Sequence, residues 1–220
     1  MVDAVALRRT RVRAVLGIVL LALPMLLTAC AAPDRQYVAA GGTGMYFALP
    51  ADWQAVPARQ LTTAQSGWSD DVGGVLSQTL AWQGAWGAGQ PDANDVFAGK
   101  APSTPVVWAM VRDLIDVEQQ GIDDVGDALA DLVIPATELT DAGLDIRSEP
   151  VRSGKFRGIH QFATYATGGT LQTVEVVSVL SPQQDRVYTV MARCTEACFA
   201  DASGTIAAIF DSLTFKETRG

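Results

Sequence analysis

The chain has 220 residues, 49% of them hydrophobic and 18% charged, which is enough for a packed core and too apolar for intrinsic disorder. Its formal charge is −8, but four of the sixteen basic residues and one of the twenty-four acids lie in the first 29, so the rest carries about −11. An acidic body with no basic stripe repels phosphate backbones, which sets nucleic acid aside as a partner, and a single histidine, His160, leaves little for a metal site.

Arg8, Arg9, Arg11 and Arg13 precede an uncharged apolar run over residues 14–27. A basic start followed by a short apolar stretch is the layout of an export signal. The run is too short to cross the hydrocarbon of a bilayer, which takes about 20 residues, and Pro24 opposes a permanent helical span. Leu27-Thr28-Ala29-Cys30 resembles the lipobox of bacterial lipoproteins: an apolar residue, two small ones, and a cysteine whose sulfur takes the lipid. The expected arrangement is a signal peptide over 1–29, lipid on Cys30, and a flexible tether to residue 44, because 31–44 is small, polar and glycine-containing. Two acyl chains, at ~0.8 kcal/mol per buried methylene, would hold such a domain on the outer face of the cell membrane.

Residues 45–220 read as one α+β domain. Short apolar runs predict strands over 45–50, 53–58, 74–83 and 105–112, with a long Gly- and Pro-rich loop over 84–104. Ile122, Val125, Leu129, Leu132 and Val133 share one face at helical spacing. Asp123, Asp124, Asp127 and Asp131 line the other side, a solvated face rather than a calcium loop, and Pro135 ends the helix. Four β segments follow at 144–151, 158–167, 171–181 and 186–194. Gly168-Gly169 and the SPQQD stretch supply turns for an antiparallel meander. Phe199, Ala202, Ile206, Ile209, Phe210 and Leu213 then form the apolar stripe of a closing helix. The fold class is an antiparallel sheet flanked by helices.

The opening MYFALPADWQ, the late meander and the closing IAAIFDSLTF resemble the PsbP-like α/β/α sandwich superfamily. Joined to a lipobox, they resemble the actinobacterial LpqN/LpqT lipoproteins within it. That resemblance implies a non-catalytic fold used for docking other proteins of the cell envelope.

Little in the sequence carries chemistry. Cys194 and Cys198 are the remaining cysteines, and an even pair in an exported chain reads as a disulfide. Zinc would need four ligands, so no metal is expected. The chain has no G-x-S-x-G, S-x-x-K or H-E-x-x-H motif, no P-loop and no dinucleotide fingerprint, so no cofactor and no catalysis are expected. Trp82 and Trp86, in the glycine-flanked stretch WQGAWGAG, form a candidate binding loop, since exposed aromatics anchor partners or stack on sugars. Two functions follow. One is a membrane-anchored, non-catalytic module for envelope proteins. The other is a carrier or chaperone for an apolar or glycan ligand, which needs a tryptophan-lined cavity.

Overall fold

Alternating apolar and polar residues over the last third of the chain build the centre of the domain. In the computed structural model, which describes residues 34–66, 78–97, 100–114 and 145–217, this region forms four strands: β6 (Asp145–Ser153), β7 (Phe156–Thr167), β8 (Thr170–Leu180) and β9 (Arg186–Thr195). Before them come β1 (Arg35–Ala39), β2 (Met45–Pro50), β3 (Gln54–Ala55), α1 (Ala58–Gln65), β4 (Leu80–Gly87), α2 (Ala93–Phe97) and β5 (Val106–Asp113). After them come α3 (Glu196–Asp211) and β10 (Thr214–Phe215). The signal peptide, Cys30 and the helix expected over 122–133 lie outside the described residues.

The strands form a seven-stranded sheet ordered β3-β4-β5-β9-β8-β7-β6 and a three-stranded sheet ordered β1-β2-β10. Every pairing among them is antiparallel, as the meander requires. Gly168 and Gly169 turn β7 into β8 at φ 57° and 80°, the left-handed pair that a two-residue hairpin needs.

One face of the large sheet is covered by the small sheet and α3. Val107, Ala109 and Val111 of β5 and Tyr188, Val190 and Ala192 of β9 meet Met45, Phe47 and Leu49 there. Phe199, Ile206 and Ile209 of α3 are buried in the same cluster, the stripe read from their spacing. Each such side chain contributes about 2 kcal/mol on leaving water. The opposite face packs Trp108 and Met110 against Leu61 of α1 and Val96 of α2.

Three sequence expectations change, and one short strand is added. The tether is shorter than 31–44: Arg35–Ala39 is a strand paired with β2, so the folded domain starts about ten residues earlier than its composition indicates. The strand expected over 53–58 is only Gln54–Ala55, and a helix follows it. The loop expected over 84–104 instead continues β4 to Gly87 and contains α2. Arg193 holds that segment from the sheet, donating to the carbonyls of Val96 and Lys100 at 3.0 Å each. The last strand, β10, has only two residues and no alternation to reveal it. It pairs with β2 through Thr214 and Phe215, and Phe215 closes on Phe156 and Tyr188.

Cys194, at the end of β9, is joined to Cys198 in the first turn of α3, with Cα atoms 6.0 Å apart. Between them Thr195 caps the helix, its hydroxyl accepting from the Cys198 amide at 3.3 Å. The bridge fixes the angle at which α3 leaves the sheet. Reducing it is expected to cost about 2 kcal/mol, the loop-entropy value for so short a ring. Denaturant midpoints with and without reductant measure that loss, and the circular dichroism of the folded state should persist.

Candidate functional site

Trp82 and Trp86 are not on a loop. Both lie on β4, two pleats apart on one face, and pack half-buried against the main core. Their rings stack at 6.1 Å, and Trp86 meets Phe47 edge-on at 5.5 Å. Gly84 stands between them because the Trp86 ring occupies the space a Cβ would need. Of the glycines that make this stretch look like a loop, Gly84 makes room for an indole and Gly87 for Val106 and Pro105, while Gly89 takes a positive φ of 78°. Trp53 also belongs to that core.

A cleft opens elsewhere, where α3 crosses β6, β7 and β8. Its floor comes from two cross-strand rows. Arg147, Phe162 and Glu175 stand side by side on β6, β7 and β8, and Glu149, His160 and Val177 form the next row. Above them α3 presents Phe199, Ser203 and Ala207 one turn apart. Ser203 and Ala207 are too small to fill the gap between helix and sheet, which leaves a cleft of about 340 Å³.

Inside the cleft, His160 Nε2 and Glu175 Oε1 are 2.8 Å apart. The imidazole lies 5.8 Å from the Phe210 ring. The Arg147 guanidinium sits 4.6 Å above Phe162, whose edge meets Phe199 at 5.5 Å. The hydrogen bond that the imidazole donates to the Glu175 carboxylate raises the His160 pKa above its ordinary 6.5. Partial burial opposes this, and the negative charges of Glu175 and Glu149 add to it. The folded state therefore favours the imidazolium. That stabilisation is fully present below pH 6.5 and is lost as pH rises through the folded-state value. Stability is expected to decline over that window and to stop declining in His160→Gln, which urea titrations at several pH values would show. The slope should be small, because the imidazole is 37% exposed and water screens the pair. A slope unchanged in the variant would remove His160 as its source.

Sequence reading left His160 as an isolated strand residue and missed Arg147, Glu149 and Glu175. The one available signal was Glu175, a lone acid in TLQTVEVVSVL in phase with the core residues Val177 and Val179. A carboxylate on a core-facing row needs a partner, but only the strand register identifies His160.

The fold is an α+β sandwich, similar to solved structures of low sequence identity. Cyanobacterial PsbP (CyanoP) from Synechocystis sp. PCC 6803 superimposes with a TM-score of 0.51 at 9% identity, covering 86% of this chain and 96% of that one. LpqN, involved in cell envelope biogenesis of Mycobacterium tuberculosis, aligns with a TM-score of 0.48 at 17% identity over 84% of this chain and 93% of its own. The Ran-binding protein Mog1p of Saccharomyces cerevisiae gives 0.45 at 10% identity over 83% and 95%. No protein family's model matches the sequence, and no curated protein matches it.

Proposed function

We propose that this protein is a cell-envelope lipoprotein, held through Cys30 on the outer face of the cell membrane, whose folded domain docks other envelope proteins and performs no catalysis. The observation that carries the docking reading is the cleft beneath α3. Phe162 on the sheet and Phe199 on α3 give it an apolar interior, and Arg147 and Glu149 end its two cross-strand rows as a charged rim, the layout of a small protein interface. The rim belongs to β6, the last strand of the described sheet. The non-catalytic reading is supported by Ser203, the hydroxyl in the cleft. It donates to its own helix at Ala200 O, 2.9 Å away, and among the described residues no hydrogen bond joins it to His160. The alternative is a carrier or chaperone for an apolar or glycan ligand, although Trp53, Trp82 and Trp86 pack in or against the core.

A photo-crosslinking amino acid at position 147, in intact cells, tests the docking face. Discrete adducts in the membrane fraction, absent from the same probe at Gln183 on the distal turn, are the expected result. Equal adducts at both positions would remove the cleft as the docking site. Hydrolytic turnover by the purified protein, lost in His160→Ala, would overturn the non-catalytic reading. For the anchor, Cys30→Ala should abolish incorporation of labelled fatty acid.

A further inference from the structure

The outer face of the small sheet carries two exposed aromatic rings, Tyr37 and Tyr46. Tyr37 pairs with Ala48 and Ala39 with Tyr46, so both tyrosines stand on one face as diagonal neighbours. The inner face of β2 (Met45, Phe47 and Leu49) is sealed in the core. On the outer face Tyr37 is 83% exposed and Tyr46 39%. Arg35 shares that face two residues before Tyr37, and the Lys216 ammonium lies 5.1 Å over the Tyr46 ring. Of the acids next to these cations in sequence, Glu217 pairs with Lys155 at 2.9 Å, and Asp34 adjoins Arg35. The patch therefore joins amphipathic rings to two long cationic side chains, the composition of protein surfaces at the membrane–water boundary.

Chain length limits how far this face can stand from Cys30. Four residues separate Cys30 from Arg35, so the first strand starts within ~17 Å of that cysteine even when the link is fully extended. Tyr37 lies within ~24 Å by the same measure. We propose that the outer face of β1 and β2 lies against the lipid headgroups of the membrane that holds the anchor, with Tyr37 and Tyr46 as its interfacial residues. This rests on the reading of Cys30 as lipidated. The rings would sit at headgroup depth with their hydroxyls toward water, while Arg35 and Lys216 reach lipid phosphates.

The test uses the full lipidated chain in vesicles of phosphatidylglycerol and phosphatidylethanolamine. Lactoperoxidase, too bulky to enter a membrane contact, iodinates accessible tyrosines, and mass spectrometry counts iodine at each one. Gln183→Tyr, on the turn between β8 and β9, supplies an exposed reference ring. Tyr37 should take up about fivefold less iodine than the reference. A long Gly/Ser linker inserted after Ala32, combined with Arg35→Glu and Lys216→Glu, should restore its labelling. Equal iodination of Tyr37 and the reference, in protein that floats with the vesicles and carries the acyl mass on Cys30, would overturn the membrane-facing assignment and leave the anchor standing. Protein that neither floats nor carries the acyl mass would overturn the anchor and this inference with it.

Discussion

Trp86→Ala is expected to lower the folding free energy by about 3 kcal/mol, the lower end of the range for removing a packed tryptophan. The ring meets Phe47 at 5.5 Å and Trp82 at 6.1 Å and covers Gly84. Its loss leaves a gap between β2 and β4 that no flexible neighbour can fill. The cost stays at the low end because the ring is only half-buried. Urea unfolding measures it directly, and Trp86→Phe should recover a large part because an edge-on contact with Phe47 survives. A midpoint unchanged by the alanine substitution would mean that the indole packs on nothing. It would then be free to dock a partner, as its glycine-flanked sequence indicates.

Arg193→Ala should cost about 3 kcal/mol as well, by a different route. Arg193 is 7% exposed, and burial lowers the pKa of its guanidinium from the usual arginine value. It is stable there because it donates to Val96 O and Lys100 O. Removing it strips charge-assisted donors, worth about 1.5–3 kcal/mol each, from two backbone carbonyls of the α2 segment. Lysine should not rescue, because its point charge cannot span two carbonyls as a planar fork does. Hydrogen exchange separates this from a general loss of stability: protection should fall first around α2 and Pro102, whose carbonyl accepts from Thr195 N at 2.9 Å. Uniform loss across the sheet would sink the argument.

The parts of the fold legible in the sequence are those where a single period decides the structure. The alternation in β9 and the helical spacing from Phe199 to Leu213 each satisfy one face of one core, so pattern and packing agree. β4 was legible only in part. Its Gly84 serves ring packing, and a glycine that makes room for an indole has the same letter as one that makes a turn. β1 was hidden because Arg-Gln-Tyr-Val-Ala exposes one side and half-buries the other, leaving almost no hydrophobic contrast. The cleft was illegible for a deeper reason. Arg147, Glu149, His160 and Glu175 come from three strands, and which of them face one another is set by register rather than by spacing along the chain. Cys194 and Cys198 are the counter-example, since five residues at a strand-to-helix junction bring two sulfurs together with no long-range information.

The pairing of β10 with β2 has a consequence for how the protein is made. Thr214 lies beside Tyr46 and Phe215 beside Met45, and Lys216 N donates to Gly44 O at 2.9 Å. β2 therefore waits for almost the whole remaining chain to leave the ribosome before its second edge is closed. Contacts of such long sequence separation form late and slowly, because loop closure must precede the contacts that reward it. Until then Met45, Phe47 and Leu49 have no complete shelter. A polypeptide of this topology completes its core only once its last residues are free to close on β2.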